Sequence, residues 1–312
     1  MPHRPPVYRA EPDTAPDAAS GSATTTIVII VAAVIGAAVL IGVLALALGL
    51  GLGLGLRDRD SSSTSTLTAP SVSCNSTESK CGCPAVSPSY SSRIISGTTA
   101  TTNSWPWLVY LTIGSRVCTG FLVSSIHVVT AANCIYGINS TTITAYLGVN
   151  KRSDSGAVIR NITNVTYPPE YVTGSTANDI AFLQLGESVQ TNLTNIKACC
   201  VTNTTSDPAE GTIGVIAGWG ETSTTGSPSD TLQQAVIKVQ GTSTCGISST
   251  FSRFCAGYDT IRTCLGDNGA PFMTVVNNTW TCSGVVSRGS SSCNQYAVYA
   301  RVSYFYDKYL GS

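Results

Sequence analysis

A run of thirty uncharged, mostly apolar residues, Ile27 to Leu56, limits the folds open to this chain more than any other feature. At about 1.5 Å per residue, a helix of this length exceeds the roughly 30 Å hydrocarbon core of a bilayer. A cleaved signal peptide is the alternative, but its apolar core is only about 7–15 residues long. The run therefore predicts a single transmembrane signal-anchor helix over residues 27–56.

The segments on either side of this run differ in composition. Residues 1–26 are rich in Pro, Ala and Thr without apolar periodicity, which predicts a disordered cytoplasmic tail. Residues 57–93 are rich in Ser and Thr and predict a stalk and propeptide. From residue 94 to residue 312, short apolar or alternating runs are separated by Gly, Asn, Ser and Thr, which indicates an all-β domain.

Seven runs in this domain have the length and apolar pattern of buried strands. Only residues 302–310 have the 3.6-residue period of a helix. The domain therefore combines many short strands with a C-terminal helix. The predicted strand regions are Trp107–Ile113, His127–Ala132, Ile180–Leu185, Gly214–Gly218, Ala235–Val239, Thr281–Ser287 and Ala297–Val302.

The orientation of the predicted anchor follows from acceptor sequons rather than from flanking charge. Arg57 and Arg59 follow the apolar run while Arg4 and Arg9 precede it, so the positive-inside rule does not favour an inside N-terminus. The Asn-x-Ser/Thr sequons all follow the run, and twelve cysteines favour an oxidising compartment. We therefore expect a single-pass type II protein of the cell membrane with its C-terminal domain outside. The predicted glycosylation sites are Asn75, Asn139, Asn161, Asn164, Asn192, Asn203 and Asn277.

The composition argues against two classes of partner. Lysine plus arginine equals aspartate plus glutamate at 17 each, and no basic block occurs, so no nucleic-acid partner is expected. The cysteines include no C-x₂-C pair and the chain has only two histidines, so no metal site and no cofactor are predicted.

Five short motifs occur in one order between residues 93 and 312. They are RIISG followed by SWPW at 93–107, TAANC at 130–134, NDIA at 178–181, AGWG at 217–220 and CLGDNGAP at 264–271. Together they resemble the activation site, histidine block, aspartate strand, glycine-rich turn and nucleophile loop of the trypsin-like serine endopeptidases. The resemblance implies two packed six-stranded antiparallel β-barrels and a C-terminal helix, and the preceding anchor is similar to the type II transmembrane serine protease arrangement.

Two residues that carry the chemistry of this family are replaced. Asn133 stands where the resemblance places the general-base histidine, and Asn268 stands where it places the nucleophilic serine. The triad aspartate is retained as Asp179. A serine attacks a carbonyl only when an imidazole takes its proton, and a carboxamide accepts no proton near neutral pH. The resemblance therefore implies a protease homologue without peptidase activity.

Neither histidine is expected to replace the missing base. His3 precedes the predicted anchor, and His127 lies on the strand that leads to Asn133, where we expect a core residue. Loss of triad members costs about a million-fold in turnover. From a typical ~10 s⁻¹, one peptide bond would be cut on a timescale of days. An active serine-type endopeptidase with an unrecognised nucleophile is the alternative.

The resemblance also implies an activation switch beside the replaced residues. Cleavage after Arg93 would free the Ile94 amine to pair with Asp267, and the backbone amides of Gly266 and Asn268 would form the oxyanion hole. This combination favours a regulated binding module, with recent drift from an active ancestor as the alternative. A glycosylated coat or adhesion protein with an unused cleft is a third interpretation.

At the specificity pocket, the resemblance places Arg262 on the floor, Arg288 and Gly289 on one wall and Ala297 on the other. Two guanidinium groups favour a carboxylate, so we expect a preference for acidic peptides. Arg262 filling the pocket against a backbone carbonyl is the alternative. The expected occupants of the cleft are a peptide, a protease inhibitor or another extracellular protein.

Disulfides are implied by the same resemblance. The expected pairs are Cys118–Cys134, Cys245–Cys255 and Cys264–Cys293, each contributing roughly 3 kcal/mol in the loop-entropy model. A further bond would tether the propeptide from Cys81 or Cys83 to Cys199 or Cys200. The remaining pairing among Cys74, Cys81, Cys83, Cys199, Cys200 and Cys282 stays open at this point.

Overall fold

A computed structural model describes residues 67–90, 97–202, 208–221, 227–247, 251–257, 267–288 and 296–310, with only the backbone of Arg288. The predicted tail and the predicted anchor, residues 27–56, lie outside this part of the chain. No helix among the described residues is long and apolar enough to cross a membrane.

The first barrel follows a two-residue strand, β1 (Thr98–Thr99). Its strands close in the order β2-β3-β4-β7-β6-β5, and every pairing is antiparallel. In the strand Ile143–Leu147, buried Ile143, Ala145 and Leu147 alternate with partly exposed residues, the period of two expected when one strand face lines a core. The strands are β2 (Leu108–Ile113), β3 (Arg116–Leu122), β4 (His127–Thr130), β5 (Ile143–Leu147), β6 (Val158–Thr166) and β7 (Ala181–Leu185).

The second barrel also has six antiparallel strands. They are β8 (Ile213–Gly218), β9 (Gln233–Gln240), β10 (Arg253–Gly257), β11 (Pro271–Val276), β12 (Thr279–Arg288) and β13 (Ala297–Arg301). Their order is β9-β10-β13-β12-β11-β8, and the pairing of β8 with β9 closes the barrel. Strand β1 also pairs with β9. The predicted pair of six-stranded antiparallel barrels is therefore confirmed, and each of the seven predicted strand regions contains a strand.

Two short α-helices accompany the barrels within the described ranges. They are α1 (Ala132–Ile135) and α2 (Val302–Tyr309), and 3₁₀ turns occupy Ser140–Thr142 and Thr242–Cys245. The predicted C-terminal helix is confirmed as α2, which buries Val302 and Phe305 at a spacing of three residues. At its end, the Tyr309 ring stacks on Phe182 of β7 at a centroid distance of 5.4 Å.

Aromatic residues fill the interior. Trp105 and Trp107 of the first half of the domain pack edge-to-face, and Trp105 also contacts Trp280 of β12 at a centroid distance of 4.8 Å. The Trp107 indole nitrogen donates to the Met273 sulfur across 3.1 Å, which links the halves again. The second barrel has its own core around Phe254, Phe272 and Tyr299.

The described part of the predicted stalk, residues 67–90, lies against the domain rather than extending from it. The Gly82 amide donates to the Ala198 carbonyl across 2.8 Å, and the Trp280 amide donates to the Gly82 carbonyl across 2.7 Å. The residue Lys197 is 5% exposed, and its ammonium group donates to the carbonyl oxygen of Ser76 across 2.7 Å. These residues therefore belong to the folded unit.

Five disulfides account for ten cysteines, and the described residues include no free cysteine. Cys118–Cys134 and Cys245–Cys255 are present as the resemblance implies, and the propeptide tether is Cys81–Cys200. The open pairing resolves into Cys74–Cys83 and Cys199–Cys282. Cys264 and Cys293 lie outside the described residues.

Candidate functional site

Three segments of the chain bring Asn133, Asp179 and Asn268 together. Asn133 lies on α1 directly after β4, and Asp179 lies just before β7. Because Thr130 at the end of β4 pairs with Ala181 at the start of β7, Asn133 and Asp179 leave the barrel at the same edge. Asn268 lies in the turn before β11, and its carbonyl accepts a hydrogen bond from the Thr119 amide across 3.0 Å.

The Asp179 carboxylate is 1% exposed and accepts several hydrogen bonds. The Asn133 backbone amide donates to Oδ1 across 2.7 Å, and the Asn133 side-chain nitrogen donates to Oδ2 across 2.6 Å. The Ser287 hydroxyl donates to the same Oδ2 across 2.6 Å. A buried carboxylate is stable only when such donors replace water, so Asn133 and Ser287 maintain Asp179 in place.

The Asn133 side chain links Asp179 to Asn268. Its nitrogen also donates to the Ser287 carbonyl oxygen, while its oxygen accepts a hydrogen bond from the Asn268 side-chain nitrogen across 3.1 Å. Both functions of the Asn133 amide, donor and acceptor, are therefore used. Carboxamides neither take a proton near neutral pH nor act as strong nucleophiles, so this network orders its members but supplies no general base at Asn133.

The turn around Asn268 is fixed by its neighbours. Gly269 has a φ of +85°, and a Cβ atom there would collide with the Thr119 carbonyl oxygen and the Thr130 hydroxyl, so glycine is required. The Gly269 amide donates to the Val286 carbonyl across 2.9 Å. On the other side of Asn268, Asp267 Oδ1 accepts a hydrogen bond from the Gly220 amide across 3.1 Å.

His127 is not a core residue, contrary to what its strand position predicts. It begins β4 and is partly exposed, with its Nδ1 atom 3.1 Å from the Ser124 hydroxyl. Partial burial lowers the pKa of His127 below its ordinary value. The expectation is wrong because the first residue of β4 lies at the end of the barrel, where a turn supplies a polar partner.

The other predicted site residues are only partly within the described chain. Ala297 is buried at the start of β13, and Arg288 ends β12 with only its backbone described. The predicted glycosylation sites other than Asn203 are exposed. Within the described ranges, no group of three or more His, Cys, Asp or Glu residues could hold a metal ion. The predicted residues outside the described ranges are Arg93, Ile94, Asn203, Arg262, Cys264, Gly266, Gly289 and Cys293.

Two residues at the site were not predicted from sequence. Ser287 donates to Asp179, and its only signal was a polar residue at the end of the predicted strand Thr281–Ser287. Arg116 is exposed, and its guanidinium group donates to the carbonyl of Cys134 across 3.3 Å, next to Asn133. No motif contains Arg116, so nothing in the sequence pointed to it.

Comparison with known proteins agrees with this fold. The family model Trypsin matches residues 94–308. Chymotrypsin-C of Mus musculus is 32% identical over 251 residues, covering 73% of this chain and 92% of that protein. Chymotrypsin-C of Bos taurus is 32% identical over 255 residues, with the same coverage of 73% and 92%. The chain therefore belongs to the family of trypsin-like serine proteases.

Proposed function

We propose that this family member is a membrane-anchored extracellular protein that binds a peptide or protein in the former substrate cleft without cleaving it. The observation that supports this function is the hydrogen-bonded chain from Asn268 through Asn133 to Asp179. In the trypsin-like pattern the first two positions carry the nucleophile and the general base. Here two carboxamides occupy them, so the site keeps its order without the groups that hydrolyse a peptide bond.

The rival function is a serine endopeptidase that uses another nucleophile. The two chymotrypsin-C relatives favour it, since their name is that of a protease. A fluorophosphonate probe distinguishes the two functions because it labels only an activated hydroxyl nucleophile. We expect the purified full chain, cleaved after Arg93, to remain unlabelled, with active chymotrypsin-C as the positive control. Covalent labelling of any serine would overturn the proposed function.

The placement at the cell surface is supported by the apolar run 27–56 and by the exposure of the described sequon asparagines. Intact cells expressing the full chain should expose the domain to an impermeant biotin reagent. An epitope at residue 1 should react with antibody only after permeabilisation, as a type II orientation requires. Labelling of the N-terminal epitope on intact cells would contradict this placement.

Regulation by cleavage is part of the proposal. A freed Ile94 amine would pair with Asp267, whose carboxylate already accepts the Gly220 amide. Because a buried ion pair costs desolvation, we expect cleavage to raise the melting temperature by only a few degrees. Asp267→Asn should remove that rise. An unchanged melting temperature of the wild-type chain after complete cleavage would contradict the switch.

The ligand in the cleft is expected to be acidic. Arg116 is an exposed residue whose guanidinium group donates to the Cys134 carbonyl next to Asn133, and the resemblance adds Arg262 and Arg288 at the specificity pocket. Guanidinium groups bind carboxylates with strong, directional hydrogen bonds. An unbiased pull-down with the cleaved protein from its extracellular milieu, compared with an Arg116→Ala, Arg262→Ala double variant, tests this. A partner captured equally by both proteins would not be a ligand of the cleft.

A further inference from the structure

A cavity of about 430 Å³ is lined by none of the residues of the Asn268–Asn133–Asp179 network. It is bounded by the β11–β12 turn, by β12, by α2 and by the segment after Cys200. Most of the residues that line it are polar: Thr202, Asn277, Thr279, Thr281, Tyr306 and Asp307. Its volume is in the range of ~300–1,000 Å³ that is common for small-ligand sites.

Asn277 is held rigidly at the edge of this cavity. Asn277 and Asn278 form the two-residue β11–β12 turn with φ values of +48° and +59°, the backbone pattern of a tight hairpin. The Asn278 side-chain oxygen accepts a hydrogen bond from the Ser73 amide of the stalk across 3.0 Å. Asn277 itself is exposed, so its side-chain nitrogen is accessible while its backbone is fixed.

Asn277-Asn278-Thr279 is also an acceptor sequon for N-linked glycosylation. We propose that the cavity is an intramolecular carbohydrate site, which holds the proximal sugar of a glycan attached to Asn277. The inference rests on the extracellular placement in the proposed function. In the transfer, the Asn277 amide nitrogen bonds to C1 of an isoprenoid-pyrophosphate-linked oligosaccharide, the C1–O bond to pyrophosphate breaks, and one amide proton is lost.

The lining matches the chemistry of a sugar. The carboxylate of Asp307 can accept hydrogen bonds from sugar hydroxyls, and the Tyr306 ring offers an apolar face. The Thr279 hydroxyl already donates to the Val276 carbonyl across 2.9 Å, so toward a sugar it can act as an acceptor. Burial and the neighbouring Asp307 raise the pKa of Tyr306, so its phenol stays protonated and can donate. Attachment at Asn277 gives the sugar a high effective concentration, on the order of millimolar or more, so weak contacts suffice to populate the site.

The experiment uses the full chain produced in a eukaryotic secretory cell. Glycopeptide mass spectrometry first measures occupancy at Asn277. A double-mutant cycle then combines Asn277→Gln with Tyr306→Ala, and melting temperatures are compared. We expect Asn277→Gln to lower the melting temperature by about 2–4 °C in the Tyr306 protein and to have little effect after Tyr306→Ala. The matched control, Asn192→Gln at another exposed sequon, should show no coupling to Tyr306.

A second measurement avoids any folding defect of the variants. Enzymatic trimming of the folded glycoprotein to one proximal sugar should leave the melting temperature unchanged, because only that sugar occupies the cavity. The inference would be overturned if Asn277 carried no glycan or if the melting-temperature changes of Asn277→Gln and Tyr306→Ala were additive. Coupling of Tyr306→Ala to Asn203→Gln instead of Asn277→Gln would also overturn it. Absence of glycans at all sequons would instead contradict the extracellular placement, so the two failures are distinguishable.

Discussion

The Asn268 side-chain nitrogen donates a hydrogen bond to the Asn133 side-chain oxygen across 3.1 Å, and the direction of this bond is fixed by Asp179. The Asn133 side-chain nitrogen lies 2.6 Å from Asp179 Oδ2. If the amide were flipped, its oxygen would face the carboxylate oxygen with no proton between them. The Asn133 oxygen must therefore point toward Asn268. This orientation joins the three side chains in one continuous hydrogen-bonded chain.

The double substitution Asn133→His with Asn268→Ser is expected to restore peptidase activity after cleavage at Arg93. An imidazole at residue 133 could donate to Asp179 and accept the proton of a serine at residue 268. Each single variant should stay inactive, because base and nucleophile act as a unit. A burst with an active-site titrant measures the result. A folded, cleaved double variant without a burst would show that the active geometry has been lost.

Asn133→Ala should destabilise the domain by about 1–3 kcal/mol, since it removes the side-chain donor to the buried Asp179 carboxylate. Denaturant unfolding at neutral pH measures the difference in the free energy of unfolding. Asn192→Ala is the control, because Asn192 is exposed and such substitutions usually change stability by less than ~0.5 kcal/mol. If the Asn133→Ala protein and the control had the same free energy of unfolding, the hydrogen bond from Asn133 to Asp179 would not stabilise the fold.

Seven strands lie in regions that the sequence predicted, but a buried face alone did not reveal a strand, since β3 and β5 also bury residues and were not predicted. The run around β7 is apolar because Ala181, Leu183 and Leu185 are buried in the barrel. In β6 (Val158–Thr166) only Ile162 is fully buried, so no apolar pattern appears and the strand depends on pairing with β5 and β7. Local pattern therefore predicts strands only where the core imposes it.

Contacts between segments that are distant along the chain could not be predicted from the sequence either. The motifs placed Asn133, Asp179 and Asn268 at one site, but the Ser287–Asp179 hydrogen bond joins residues 108 positions apart and has no local signature. The composition of residues 57–93 predicted a stalk and propeptide, and the resemblance implied a tether from Cys81 or Cys83 to Cys199 or Cys200. Which two cysteines form that tether, Cys81 and Cys200, became clear only in the structure. Disulfide connectivity among several cysteines cannot be deduced from their spacing alone.

The Cys81–Cys200 bond should keep the two chains together after cleavage at Arg93. Non-reducing denaturing electrophoresis is expected to show one band, and reduction should release the N-terminal fragment. Replacing both Cys81 and Cys200 by serine should separate the fragments without reduction. The matched control replaces both Cys74 and Cys83, a pair within the stalk, and should leave the fragments joined. Separation in this control would contradict the observed pairing.

Stability should fall in mild acid because of His127, whose pKa is lowered by partial burial. Well above pH ~6.5 His127 is neutral in both the folded and the unfolded state and contributes nothing to the pH dependence. As the pH falls below that value, the unfolded chain binds the proton more readily, so the free energy of unfolding decreases until the folded-state pKa is passed. Unfolding measured between pH 7.5 and 5.5 should show a shallower decrease in His127→Gln than in His3→Gln. Parallel profiles for the two variants would exclude His127 as the source.

The specificity pocket is expected to prefer acidic peptides because Arg262 lies on its floor in the trypsin-like pattern, where trypsin has an aspartate that binds lysine or arginine. A guanidinium group there would bind an aspartate or glutamate side chain through paired hydrogen bonds. The cleaved protein should therefore bind Asp or Glu peptides on an array more tightly than Lys or Arg peptides. Arg262→Asp should reverse that order of affinities. Arg116→Ala should weaken the binding of acidic peptides without reversing the order. An array without acidic preference, or one unaffected by Arg262→Asp, would mean that Arg262 fills the pocket itself.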